Sequence, residues 1–290
     1  MTLKRNGVKN MLQSDLSVLE KGAHNIRKHI VNTIVNNGEG HGGPALSCAD
    51  ILSVLYLGIM NIDKDNPGDI NNDKFLLSAG HKCLAIYAAL VEKGIIDRAV
   101  LDTYNMLNSP VPGHPDATKL PGIEFSTGSL GHGLPLGCGF AIAARMKGLD
   151  YKTYVLMGDG EQGEGSNWEA ASFAAHNKLD NLIAIIDENG LQINGRTAQI
   201  CRPSGFEERY AAFGWSVKSV NGHDVGALYD VLKAVPFEAG KPSMIVAKTK
   251  KGCGISFMED NVAYHHWHPD KQEAEKALSE IAQAEKRWEK

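Results

Sequence analysis

Apolar and polar positions along the chain follow two periods. Leu16, Leu19, Ile26, Ile30 and Ile34 recur at mostly helical spacings and predict a helix over residues 15–36. The glycine-rich stretch 37–44 ends it. Ser47 stands where it would cap a second helix over 48–57. Phe75-Leu76-Leu77 is a short continuous apolar run, the pattern of a buried strand, and it stops at Ser78-Ala79-Gly80-His81, which opens a helix to about residue 92. Residues 108–126 are dense in proline and glycine and read as a long functional loop. A helix is predicted over 130–145. Apolar runs over 153–157 and 181–186 predict two strands with a helix over 167–178 between them. A loop then runs from Asn189 to about residue 202. Strands over 215–220 and 244–247 flank a helix over 225–234, and a charged amphipathic helix over about 269–289 closes the chain. Strands alternate with helices throughout. The expected fold is therefore α/β: a three-layer α/β/α sandwich with a mainly parallel sheet, in a single domain spanning 1–290.

Composition narrows the function classes. At 290 residues, 43% hydrophobic and 22% charged, the chain reads as an ordinary globular protein. A net charge of −4 argues against nucleic acid or an anionic membrane as a partner. No apolar run reaches the roughly 20 residues of a spanning helix, and Lys4-Arg5 is not followed by the apolar core of a signal peptide. Five cysteines, with no CxxC pair, point to free thiols in a reducing, cytoplasmic setting.

The chemistry concentrates at two strand ends. One apolar run leads into Gly158-Asp159-Gly160 and the next into Asp187-Glu188-Asn189, so Asp159 and Asn189 stand 30 positions apart. That is the length of a βαβ unit, whose crossover puts both strand ends on one edge of a parallel sheet. A carboxylate, an amide oxygen and the Leu191 carbonyl then converge as hard oxygen ligands for Mg²⁺ or Ca²⁺ carrying a diphosphate. The glycine-rich segment 160–165 is no dinucleotide cradle, because a leading aspartate would repel phosphate unless a cation lay between them. Glu164 reads equally as a helix cap or as a group facing a neighbouring protomer. Of eleven histidines, His41, His81 and His114 each follow a glycine at a loop or element boundary. Such positions project imidazoles toward an open site, where their pKa suits proton transfer. His265-His266-Trp267-His268 lacks the cysteine or HExxH partners of a zinc motif, and the glycine-containing loop before it, Lys250 to Ser256, reads as a flap over a ligand.

Several segments in order resemble transketolase, specifically its thiamine-diphosphate-binding N-terminal half, over roughly residues 15–285. They include Gly40-His41-Gly42-Gly43, Leu77-Ser78-Ala79-Gly80-His81, Pro112-Gly113-His114-Pro115, Thr127-Gly128-Ser129-Leu130-Gly131 and Gly158-Asp159-Gly160 with Glu164-Gly165. Trp168-Glu169-Ala170-Ala171 and the stretch 187–195 continue the match. The resemblance implies the thiamine-diphosphate-binding fold, thiamine diphosphate and a divalent metal as cofactors, and transfer of a two-carbon ketol unit from an anionic ketose to an aldose. It implies Asp159, Asn189 and the Leu191 carbonyl as metal ligands. Gly160, His81 and His265 become diphosphate neighbours, and Gly128 and Leu130 backbone contacts to the aminopyrimidine. His41, His114 and His265 become the groups handling substrate hydroxyls and protons. Glu164 resembles a carboxylate linking two active sites across a dimer.

Three positions depart from the family pattern. His41-Gly42-Gly43 replaces His-Pro-Gly, His132 replaces a glutamine, and Tyr264-His265-His266 replaces Trp-His-Gly. They surround the substrate side and leave the sugars open. The chain also lacks the pyrimidine-binding and C-terminal portions of a full transketolase. The expectation is one half of a split enzyme that works with a C-terminal transketolase chain, in an α2β2 assembly acting on sugar phosphates. A truncated chain, one half of a 1-deoxyxylulose-phosphate synthase-like or α-ketoacid dehydrogenase E1-like enzyme, and a non-catalytic homologue remain as alternatives.

Overall fold

A computed structural model describes residues 13–201 and 205–288. The expected loop end at 202, the helix end at 289 and the N-terminal part of the 1–290 domain lie outside them. Five strands form one fully parallel sheet: β1 (Lys74–Leu77), β2 (Thr153–Gly158), β3 (Leu182–Glu188), β6 (Ser216–Asn221) and β7 (Ser243–Lys248), in the order β1-β2-β3-β7-β6. A separate two-stranded ribbon pairs β4 (Leu191–Gln192) with β5 (Gly195–Arg196).

The central strands are apolar on both faces because helices cover both. Tyr154, Leu156, Ile183, Ile185 and Ile245 point into one core, while Val155, Met157, Ala184, Ile186 and Val246 point into the other. Alternation along a strand sends neighbours to opposite faces. On the first face lie α1 (Gln13–Asn37), α3 (Ala49–Ser53), α4 (Cys83–Lys93), α9 (Val225–Lys233) and α10 (Lys271–Glu285). On the second lie α5 (Gly133–Lys147), α6 (Gly165–His176) and α8 (Phe206–Ala212). Ile26, Ile30 and Ile34 of α1 are fully buried, each contributing about 1.5–3 kcal/mol through removal from water. β6 is the half-exposed edge strand. Among the described residues no helix is long and apolar enough to cross a membrane, and all five cysteines are unpaired.

Two local expectations are corrected. The glycine-rich break is partly helical: α2 (Gly42–Ser47) begins inside it, and after Cys48 the chain continues as α3 and then a π-helical turn over Val54–Ile59. Pro44 falls in the first turn of α2, where its missing N–H costs nothing. Ser47 is therefore no cap; its hydroxyl donates to Asp187 Oδ2 at 2.5 Å and lies 2.8 Å from Pro44 O. The segment after Asn189 is not plain loop but the β4–β5 ribbon followed by α7 (Thr197–Ile200). Thr197 N donates to Gly190 O at 3.0 Å, which folds the segment back on itself, and Arg196 pairs with Asp260 at 2.6 Å, which ties it to a distant loop.

Because every strand of the main sheet runs the same way, the segments after β1, β2, β3 and β7 emerge along one edge. Ligands in open parallel sheets gather there. His81, Asp159, Asn189 and Lys251 follow those four strands in turn.

Candidate active site

A cavity of about 420 Å³ opens at this edge, within the size range of small-molecule and cofactor sites. Every candidate drawn from the sequence lines it: Asp159, Asn189 and Leu191; His81, Gly128, Leu130, Gly160 and Glu164; and His41, His114 and His265.

At its floor, Asp159 is 3% exposed. Its Oδ1 accepts from Gly160 N at 2.8 Å and its Oδ2 from Gly190 N at 2.7 Å. The second bond ties the tip of β2 to the residue after Asn189. Asn189 Oδ1 accepts from Leu191 N at 3.2 Å, which folds the 189–191 turn around the same point. Burial and the nearby Asp187 carboxylate push Asp159 up to about 6, against the pull of Lys82. A carboxylate in that condition lacks a compensating charge, which a divalent cation would supply.

Beneath it lies a buried network that the sequence reading does not assign. Lys82 Nζ lies 2.5 Å from Asp187 Oδ2, with both side chains at most 2% exposed. Asp187 also accepts from Ser47, Thr249 and, at 3.2 Å, Asn189 Nδ2. Burial opposes its ionisation, but Lys82 outweighs burial and holds the carboxyl below its ordinary range. Asp187 orients the Asn189 amide, leaving its oxygen toward the turn. Glu161, also buried, accepts from Ser78, from Gly131 N at 2.8 Å and from Gly158 N at 3.0 Å. It joins the ends of β1 and β2 to the 128–131 turn. Lys82 and Asp187 each leave a trace in the sequence: a lysine directly after Gly80-His81, and an aspartate closing a buried apolar run.

The other end of the cavity is ringed by imidazoles. The His41 ring lies 5.5 Å from His81, 6.1 Å from His114 and 5.5 Å from His265, centroid to centroid. Burial, then His266 and His114, lowers His41 to about 4. Burial and Lys251 lower His265 to about 3, and burial with Lys82 holds His81 well below the usual histidine range. These rings are neutral near pH 7 and can accept protons or hydrogen bonds. Lys251, also absent from the sequence reading, donates to His265 Nδ1 at 2.9 Å. Burial and Lys82 pull its own pKa down to about 8.

Two glycines allow close packing of the cavity wall. Gly128 adopts φ +158°, and a Cβ there would lie 3.2 Å from His114 Cδ2. A Cβ on Gly160 would lie 3.0 Å from Gln192 Cγ, and Gln192 Oε1 is a buried acceptor without a partner. The carboxylate, amide and carbonyl set and the undercharged floor fit a diphosphate held through a hard cation. Glu164 occupies the N-cap position of α6 but makes no side-chain capping bond, and it is exposed; the capping alternative is thereby set aside.

Comparison with known proteins gives the family and the fold. Residues 19–287 match the family model of the transketolase thiamine diphosphate binding domain. The chain belongs to the transketolase family. It is 42% identical to an apulose-4-phosphate transketolase subunit from Phocaeicola vulgatus, over 95% of this chain and 98% of that one. It is 40% identical to the 6-deoxy-6-sulfo-D-fructose transketolase subunit SqwG of a Clostridium species, over 91% and 96%. The transketolase crystal structure from Campylobacter jejuni superposes with a TM-score of 0.84 at 31% identity, covering 94% of this chain but 43% of that one. The chain thus spans nearly the whole of the subunit-sized relatives and less than half of the full-length enzyme.

Proposed function

We propose that this chain is the coenzyme-binding half of a two-chain transketolase, which transfers a two-carbon ketol unit from a ketose with a terminal anion to an aldose. The observation that carries the reading is the joint placement of Asp159, Asn189 and Leu191 with the histidine ring in one cavity. In it, Asp159, the Asn189 side-chain oxygen and the Leu191 carbonyl hold Mg²⁺ or Ca²⁺, and the cation holds the diphosphate. His81, His265 and Gly160 border the diphosphate. Gly128 and Leu130 offer backbone groups to the aminopyrimidine. When bound, thiamine diphosphate supplies a nucleophilic carbon and an electron sink. The protein's part is to orient, to exclude water and to move protons. His41 and His114, neutral at working pH, accept protons from substrate hydroxyls, and Lys251 fixes the tautomer of His265 by donating to Nδ1.

The partner we infer is a C-terminal transketolase chain completing each site, in an α2β2 assembly. Two features support an assembly. Glu164 is exposed beside the cavity without an internal capping role, and α5 presents an uncovered apolar groove formed by Pro135, Leu136, Phe140 and Ala143. Of the two subunit-sized relatives named above, one is a subunit of an apulose-4-phosphate transketolase and the other of a 6-deoxy-6-sulfo-D-fructose transketolase. A distal anion is the chemistry those two sugars share.

Reconstitution tests the reading. The purified chain, given thiamine diphosphate, Mg²⁺ and ketose and aldose phosphates, is expected to show no ketol transfer. Adding a C-terminal transketolase chain from the same organism should restore turnover. Robust turnover by the chain alone would overturn the two-chain reading.

A further inference from the structure

His266 and His268 stand at the mouth of the cavity, outside its lining, where the proposed function gives them no task. Their placement is not incidental. Gly40 and Trp267 form an isolated antiparallel bridge, with Gly40 N donating to Trp267 O at 3.0 Å and Trp267 N to Gly40 O at 2.7 Å. In such a pair, residue 39 lies opposite 268 and residue 41 opposite 266, and all four side chains leave on one face. Accordingly His41 meets His266 edge-on at 4.5 Å between centroids, and Glu39 Oε2 lies 3.7 Å from His268 Nδ1. The bridge is anchored: Trp267 is 2% exposed and its indole N–H donates to Glu273 Oε2 at 2.9 Å.

We propose that Glu39, His266 and His268 form a binding site for a borderline-soft divalent cation of the Zn²⁺ class, distinct from the hard-cation site at Asp159. One donor atom from each lies within 4.8 Å of the others. His266 Nδ1 and His268 Nε2 face each other at 3.0 Å; two imidazole ligands on a tetrahedral ion with bonds near 2.05 Å stand about 3.3 Å apart. Imidazole nitrogens with one carboxylate favour Zn²⁺, Co²⁺ or Ni²⁺ over Mg²⁺. An anion fits poorly: it would require both rings charged at this separation, beside a carboxylate. Three protein ligands leave a fourth position for water.

A second cluster, Asp50, His223 and Cys253, is the competing location. Its donors are already spent. Asp50 accepts the Arg27 fork, with Nη1 to Oδ1 at 3.0 Å, and His223 uses Nδ1 on Asp50 at 2.7 Å and Nε2 on the Lys250 amide at 2.8 Å.

Co²⁺ titration of the full chain tests the site and is independent of catalysis. Saturating Mg²⁺ and thiamine diphosphate are present to occupy the hard site, and Zn²⁺ is used as competitor. One equivalent of Co²⁺ is expected, with tetrahedral d–d absorption and no thiolate charge-transfer band. H266A/H268A should weaken binding roughly 10- to 100-fold or more, and E39Q roughly 10-fold. C253S should bind as the parent does. All three ligands lie outside the core, and circular dichroism verifies that the variants are folded. Absence of Co²⁺ binding by the parent overturns the site. So does unchanged affinity in H266A/H268A, or a thiolate band abolished by C253S.

Discussion

The two ends of the cavity are built in opposite ways. At the floor, Asp159 and Asn189 sit on the tips of adjacent parallel strands, and Gly158 pairs with Asp187 in register. Their positions are dictated by the sheet, with a buried Lys82–Asp187 ion pair beneath them. At the mouth, His41, His114 and His265 come from three segments separated by 73 and 151 residues. Only the tertiary fold brings them together, and no strand sets their spacing. The floor is a rigid mount whose charges suit one added cation, whereas the mouth is a ring of neutral bases. Rigidity belongs where the coenzyme is held, and titratable groups belong where protons move.

The contrast predicts different failures. His114→Ala should lower kcat by roughly 10²- to 10⁴-fold, the range of a lost proton-transfer group. Coenzyme affinity should change far less, because His114 lies at the mouth. Steady-state rates of the reconstituted enzyme, compared with a coenzyme titration, check this; the reverse pattern would erase the division between the two ends.

Asp187→Ala attacks the mount. It strands the Lys82 charge in a fully buried position, and removing one partner of such a pair costs about 3–5 kcal/mol. Urea denaturation of the isolated chain should register that loss, where His114→Ala should cost little.

The mouth also predicts a pH dependence. His41 falls to about 4 in the folded chain, against 6.5 for an ordinary histidine. Its folded pKa is depressed, so the unfolded chain takes up the proton first as pH drops. The stability contribution is full above about 6.5 and is lost as pH falls toward 4. Between pH 7 and pH 5 this contribution falls. His265, lowered to about 3, adds to the effect over the same window. His41→Asn should flatten the curve measured by urea midpoint. An unchanged slope would show that the ring is not buried neutral.

This asymmetry also explains what the sequence discloses. Strand cores 153–157, 181–186 and 244–247 stand out as apolar runs, and the ligands after them follow from βαβ geometry. Each of the five main strands lies within a residue or two of its expected place. The structure differs where local signals compete. Ser47 has the composition of a cap, but its hydroxyl is drawn to Asp187 across 140 positions. The 189–202 segment looks like loop because its ribbon strands are two residues each. Glu161 and Lys251 are silent because their partners, Ser78 and His265, are 83 and 14 positions away, and the lysine after Gly80-His81 does not disclose its partner Asp187, 105 positions on. Long-range pairing of buried charges leaves no periodic trace along a chain.

Above all, the floor is proposed to hold thiamine diphosphate through a cation gripped by Asp159. The decisive experiment is calorimetric titration of thiamine diphosphate into the parent and Asp159→Ala, each with the C-terminal transketolase chain and with or without Mg²⁺. Mg²⁺-dependent binding by the parent and none by the variant is expected, with the variant's circular dichroism intact. Equal affinity in the two proteins, or binding by the parent that ignores Mg²⁺, would show that Asp159 does not carry the coenzyme.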